Sequence, residues 1–292
     1  MAVPESGRVT VERDVVFGTG GGRELQCNVY TPPPGTSNGA GVLLVHGGGW
    51  RSGDRSQLHG YGILLGRIGY LCVASEYRLS GEAKWPAQIH DVKAAVRWMR
   101  AHASELKVDP EKICISGNSA GAHLSLMAAG TAGHAAFEGE GGSPGVRSDV
   151  AACIAFYGPA LIGARVAAAA GAEPVLPEVV ALLMGKDATD QQLRDASPVT
   201  WAKKEFPPTL LMHGNRDELV PVASAFRMHE VLSKAGAPVE LHVYNKAPHA
   251  FDAVPELGRQ CASIMALFLD RHVVAPREVM VPAAEARAAA GG

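Results

Sequence analysis

The stretch Cys114–Met127, CISGNSAGAHLSLM, breaks an apolar run with Gly117-Asn118-Ser119-Ala120-Gly121 and then resumes it at helical spacing. A strand that turns sharply into a helix, with one serine at the corner, is the setting in which a hydroxyl is held out for attack. Glycines two positions before and two after the serine suit a turn too crowded to carry side chains. A serine hydroxyl is a weak nucleophile, so this reading requires a base and an acid to orient the base. His249, in NKAPHAFD, follows the last strand-like run in a loop with a proline just before it, and is the candidate base. Asp217, in LLMHGNRDELVP, is the candidate acid, and its neighbour Glu218 is the competitor. His213 ends an apolar run, His46 opens a glycine loop and His123 lies one helical turn after Ser119; these three are read as hydrogen-bonded structural histidines.

Acyl transfer also needs donors for the oxyanion that forms on the attacked carbonyl. VHGGGW, at 45–50, places three glycines directly after a buried-strand pattern. If that loop emerges at the same sheet edge as the serine, the bare amides of Gly48 and Gly49 join the N–H of Ala120 as the oxyanion donors. Trp50, Tyr157 and Trp201 are candidate walls of a substrate pocket, and the sequence equally allows each to be core.

The elements that must position these groups follow from periodicity. Residues 9–17 and 23–30 read as strands of a hairpin joined by GTGGG. Short continuous apolar runs at 41–47, 70–79, 112–117, 150–158, 208–214 and 239–245 have the pattern of strands buried on both faces. Helical spacing separates them: Ile89, Val92, Val96 and Met99; then Val222, Phe226, His229 and Leu232; then Leu257, Cys261, Ile264 and Phe268. Alternating strands and helices predict a mostly parallel sheet covered on both faces. Residues 159–207 are too long for a simple crossover and predict a small lid, with LPEVVALLMG as a helix within it. The glycine-rich 132–148 stretch reads as a flexible loop. The single domain is expected over 1–272, with 273–292 a mobile tail.

Composition narrows the function classes. The 292 residues are 47% hydrophobic and 19% charged, with a formal net charge of −2 and no Lys/Arg run. That speaks against nucleic acid or an anionic membrane surface as the main partner. The N-terminus reads as no signal peptide, and no long apolar run is present to span a membrane. Five scattered cysteines without a C-x-x-C point to a reducing, cytoplasmic setting. No H-E-x-x-H or cysteine cluster suggests a metal, and FGTGGG fails the dinucleotide fingerprint because Arg23 stands where its last glycine belongs.

With these motifs the chain resembles the α/β-hydrolase carboxylesterases, in particular the bacterial acetyl- and feruloyl-esterase-like group related to hormone-sensitive-lipase-type enzymes. The similarity runs over about residues 10–271 and includes HGGGW, GNSAG, SEYRLSGEAKWPAQIHDVKAAVRWMR, ASPVTW and PPTLLMHGNRDELVPV. The resemblance implies an α/β-hydrolase fold with eight strands, a triad in the order Ser119, Asp217, His249, no cofactor and a small-molecule ester substrate. It also implies that Arg78 and Asp91 form a structural ion pair before the PAQIHDV helix. Two departures stand out. The segment before His46 is too short for the large N-terminal cap of lipase-like members, and Asn118 and Ala122-His123 replace the Asp and second Gly of the usual elbow. SAGAH is also similar to arylformamidases. The expected function is therefore a serine carboxylester hydrolase for short to medium acyl esters. An arylformamidase-like amidase and a carbohydrate acetyl or feruloyl esterase are the alternatives, and a homo-oligomer is left open.

Overall fold

The computed structural model describes residues 7–169 and 175–278. Eight strands are present among them: β1 (Thr10–Gly20), β2 (Arg23–Thr31), β3 (Gly41–Val45), β4 (Leu71–Ser75), β5 (Ile113–Asn118), β6 (Cys153–Phe156), β7 (Thr209–Gly214) and β8 (Val239–Tyr244). They form one sheet in the order β1-β2-β4-β3-β5-β6-β7-β8. The opening hairpin is antiparallel, and β2 joins β4 antiparallel. Every pairing from β4 onward is parallel.

The helices are α1 (His59–Gly66), α2 (Ala87–Ala101), α3 (Ala103–Leu106), α4 (Ala120–Gly130), α5 (Ala135–Glu138), α6 (Ala164–Ala169), α7 (Pro177–Met184), α8 (Asp190–Asp195), α9 (Ala223–Ala235) and α10 (Pro255–Leu269). Successive strand residues go to opposite faces, which explains the continuous apolar runs. Leu43 and Val45 of β3 belong to the apolar cluster that includes residues of α2, α4 and α9, whereas Val42 and Leu44 belong to the one that includes residues of α1 and α10. Every residue of α4 is buried, so the helix behind the serine is enclosed on all sides.

Helix α2 buries Ile89, Val92, Val96 and Met99 as its spacing predicts. Helix α9 differs by about one position: Ala225, Met228 and Leu232 are buried, and Phe226 is 49% exposed. The 132–148 stretch is not a free loop. Phe137 is buried, and Glu138 receives Lys93 Nζ at 2.8 Å and Arg97 Nη1 at 3.0 Å from fully buried positions on α2. Two buried cations need a counter-charge, and Glu138 supplies it. At the start of the expected 273–292 tail Val273 is buried and Val274 O accepts from Lys112 Nζ; residues 279–292 lie outside the described part.

The 159–207 insertion carries α6, α7 and α8. Its α7 is tied down where Leu182 O accepts from Lys84 Nζ at 2.6 Å and Leu183 O from the Trp85 amide at 3.0 Å. Arg78 grips Asp91 through Nε at 2.8 Å and Nη2 at 2.7 Å, and its own amide adds a third bond at 2.9 Å. Among the described residues no helix is long and apolar enough to cross a membrane.

Candidate active site

Strand β5 ends at Asn118 and α4 begins at Ala120, which leaves Ser119 alone at the corner with φ 54° and ψ −116°. An L-residue adopts this conformation only where its surroundings impose it. A Cβ on Gly117 would stand 2.4 Å from the Gly121 carbonyl, and one on Gly121 would stand 2.1 Å from Val45 O. The elbow is pressed against itself and against the end of β3, so both positions must be glycine.

His249 Nε2 lies 3.0 Å from Ser119 Oγ, and its Nδ1 lies 2.6 Å from Asp217 Oδ2. The Asp217 side chain is fully buried. Burial pushes its carboxyl pKa up, but hydrogen bonds from His213, His249 and the Val220 amide outweigh this and hold it well below the usual carboxylate range. An ionised Asp217 only accepts, so the imidazole proton sits on Nδ1 and leaves Nε2 able to take a proton from Ser119. The other carboxylate oxygen, Oδ1, accepts from the Leu219 amide at 2.9 Å and the Val220 amide at 2.8 Å. Glu218 is exposed and takes no part in this arrangement.

The glycine loop lies against the elbow. Gly48 has φ 107°, and a Cβ there would stand 2.1 Å from Ser52 O. Gly48, Gly49 and Ala120 line the same cavity as Ser119, and none of their amides donates to a backbone acceptor among the described residues. Tyr77 braces the loop: its hydroxyl donates to His46 O at 3.1 Å, and its ring stacks on the His46 imidazole at 4.3 Å.

The cavity in front of Ser119 has a volume of about 1020 Å³. Val175, Leu176 and Val179 of the lid form one wall, and Tyr61, Ile63 and Leu64 of α1 form another. Trp50 and Tyr157 border it, yet both are almost wholly buried, so they support the wall from behind. Trp201 does not reach it. Its Nε1 donates to Asp195 O at 2.8 Å, and its ring packs on Phe137 and His134, so the substrate-wall expectation fails for this residue. His123 is fully buried beneath the elbow with Nε2 2.7 Å from Ala196 O, as a structural histidine.

His213, read from the sequence as a hydrogen-bonded structural histidine, touches Asp217, with Nε2 3.2 Å from Oδ2. Sequence reasoning missed two further residues, Asp252 and Tyr61, which meet beside the serine with their side chains 2.9 Å apart. Of these two, Asp252 had a sequence signal, its place three residues after His249. Among the described residues no group of three or more His, Cys, Asp or Glu is gathered to hold a metal ion.

The sheet order, the serine elbow and the helix layers define an α/β-hydrolase fold. Residues 27–232 match the BD-FAE family, and the chain belongs to that family. Among curated relatives it is 35% identical to the probable carboxylic ester hydrolase LipM of Mycobacterium tuberculosis, over 79% of this chain and 54% of LipM. It is 33% identical to the esterase LipQ of the same organism, over 88% of this chain and 61% of LipQ. The chain thus spans little more than half the length of these relatives. Among solved structures it is similar to the propionate-bound thermophilic esterase Est2 of Thermogutta terrifontis. The TM-score is 0.75 at 27% identity, covering 94% of this chain and 98% of that one. Esterase 2 of that species is also known phosphonylated by sarin.

Proposed function

We propose that this chain is a serine carboxylester hydrolase acting on short to medium acyl esters. The observation that carries the reading is the continuous hydrogen-bonded line from Ser119 Oγ through His249 to Asp217 at the floor of an open cavity. Ser119 Oγ attacks the ester carbonyl while His249 Nε2 takes its proton. The Gly48, Gly49 and Ala120 amides bind the oxyanion, and collapse expels the alcohol, which His249 protonates. Water then attacks the acyl-enzyme by the same route and frees the acid. Asp217 holds the imidazole tautomer and stabilises the imidazolium. None of these steps calls on a cofactor. The relatives' esterase names and the sarin adduct of the Thermogutta enzyme support the same chemistry. Five free, buried cysteines support a reducing, cytoplasmic setting.

The experiment is stoichiometric labelling by a fluorophosphonate together with hydrolysis of p-nitrophenyl butyrate. Both are expected in the wild type and neither in Ser119→Ala. Labelling that survives the substitution would place the nucleophile elsewhere. An N-formyl aryl amide turned over faster than every ester would favour an amidase, and preference for an acetylated or feruloylated sugar would favour a carbohydrate esterase.

A further inference from the structure

Asn118 stands directly before the nucleophile, where lipase-like elbows carry aspartate. Its Nδ2 donates to the Tyr157 hydroxyl at 2.8 Å and to Asp252 Oδ2 at 2.9 Å, which uses both amide hydrogens. The Tyr157 hydroxyl in turn donates to Asp252 Oδ1 at 2.5 Å, and the Tyr61 hydroxyl donates to Oδ2 at 2.9 Å. One carboxylate therefore collects three donors from α1, the end of β5 and the end of β6. Asp252 itself sits on the short turn Phe251–Ala253, three residues after His249.

This arrangement bears directly on the triad. The Tyr157 ring meets the His249 imidazole edge to face, with centroids 4.6 Å apart. Tyr157 is held with φ 40°, which a bulky side chain rarely adopts, and its amide donates to Met212 O at 2.8 Å. Burial raises its phenol pKa well above the ordinary value, so the hydroxyl remains a donor. The polarity of the cluster is also specified. An aspartate at 118 would bring a second carboxylate to 2.9 Å from Asp252, and like charges that close do not both stay ionised. An amide at 118 thus goes with a carboxylate at 252.

We propose that Asn118, Tyr157 and Tyr61, gathered on Asp252, form a positioning cluster that joins the nucleophile elbow to the histidine loop and sets the Ser119–His249 separation. The inference rests on the triad reading above. These four residues act through Ser119 and His249, and the cluster gives the Asn118 departure a specific partner.

The test is a charge exchange read by steady-state kinetics on p-nitrophenyl butyrate. Asn118→Asp puts carboxylate against carboxylate, and Asp252→Asn puts amide against amide. Each single variant is expected to lower kcat about 10- to 100-fold, the scale of a misplaced catalytic group. All four residues line the cavity, so KM is expected to shift as well, but by less than kcat, because the cluster acts on the Ser119–His249 geometry. The double variant Asn118→Asp/Asp252→Asn restores an amide facing a carboxylate and is expected to recover at least about tenfold of the lost kcat. Tyr157→Phe keeps the supporting ring and removes only the hydroxyl, so it tests the cluster with little risk to folding; a kcat loss of about tenfold is expected. Thermal melts separate any loss of folded protein. Near-wild-type kcat in the folded single variants and in Tyr157→Phe would overturn the proposal, as would raised KM at constant kcat or a double variant no better than the singles. Wild-type turnover tests the esterase reading, whereas the differences among variants test the cluster, so the two fail separately.

Discussion

Asp217 Oδ2 is shared by two histidines: His249 Nδ1 at 2.6 Å and His213 Nε2 at 3.2 Å. The His213 Nε2 proton is also directed at Val220 O, 2.8 Å away, and the Val220 amide returns a bond to Asp217 Oδ1. Asp217 is thus fixed from the end of β7 and from its own loop independently of its bond to His249.

Replacing members of this line has graded effects. Ser119→Ala is expected to cut kcat by about 10⁶-fold with the fold retained. Asp217→Asn leaves the wrong imidazole tautomer and costs about 10⁴-fold. Glu218→Gln changes exposed surface only and leaves kcat near wild type. Stopped-flow turnover of the three variants orders them; a loss in Glu218→Gln that matched Asp217→Asn would overturn the choice of acid.

His213 makes an intermediate case. His213→Leu removes one of the bonds that orient Asp217 while keeping a buried side chain, so kcat is expected to drop by about tenfold with KM little changed. His213→Gln retains a donor and recovers part of the loss. Equal kcat in wild type and His213→Leu would show that the Leu219 and Val220 amides hold the carboxylate unaided.

Arg78 and Asp91 predict a separation of stability from activity. Arg78→Ala strands a carboxylate that is nearly inaccessible, leaving it the Arg78 amide alone. Breaking one side of such a pair costs about 3–5 kcal/mol. Urea unfolding is expected to register that loss, while kcat/KM of the remaining folded enzyme holds. A stable Arg78→Ala protein with weakened substrate affinity would assign the pair to the site.

How far the sequence carries can be judged from particular residues. The elbow, Asp217, His249 and the glycine loop could be picked out because each lies in a short segment whose local chemistry demands its residue types, and the structure brings them together. Gly117 and Gly121 are glycines for lack of space, and any chain building this turn repeats them. The Asp252 cluster was not legible, because Tyr61 and Asp252 are separated by 191 residues and only the sheet brings them together. The α9 face was misjudged for a related reason. Periodicity marks the bulky residues, yet packing there selects small Ala225 and leaves Phe226 outside. Glycine content likewise suggested mobility at 132–148, where the deciding fact is a long-range one, the pairing of Glu138 with two buried cations on α2.

His123 sets a pH dependence of stability. Burial pushes its pKa down to about 4, although the hydrogen bond to the Ala196 carbonyl opposes the shift. The unfolded chain keeps an ordinary histidine near 6.5, so between about pH 6.5 and 4 the unfolded state binds a proton that the folded state refuses. Stability therefore falls as pH drops through that window, by about 2–3 kcal/mol at pH 4.5 relative to pH 7. His123→Gln keeps a donor for Ala196 without titrating. Its unfolding free energy is expected to be flatter with pH; the same slope as wild type would remove His123 as the cause. His46, also lowered by burial, acts in the same direction and leaves a residual slope.

Acyl-chain preference follows from which walls of the cavity are apolar. Among the described residues the lid contributes Pro159, Val175, Leu176 and Val179 to the lining, and the sequence reading expected short to medium acyl chains. The sequence did not reveal that α1 adds Ile63 and Leu64, or that the cavity reaches about 1020 Å³, the upper end for drug-sized ligands. Each methylene buried against these side chains is worth about 0.8 kcal/mol. kcat/KM on p-nitrophenyl esters is therefore expected to rise from acetyl to about six or eight carbons. Beyond the apolar patch the lining becomes exposed and charged at Arg67 and Arg259, where further methylenes gain little. A fall is expected by about twelve carbons, as added chain remains in water. Leu64→Ser and Val179→Ser should each depress the hexanoyl and octanoyl values several-fold while leaving the acetyl value unchanged. A profile still climbing at sixteen carbons, or one indifferent to both substitutions, would mean that the acyl chain lies elsewhere than between α1 and the lid.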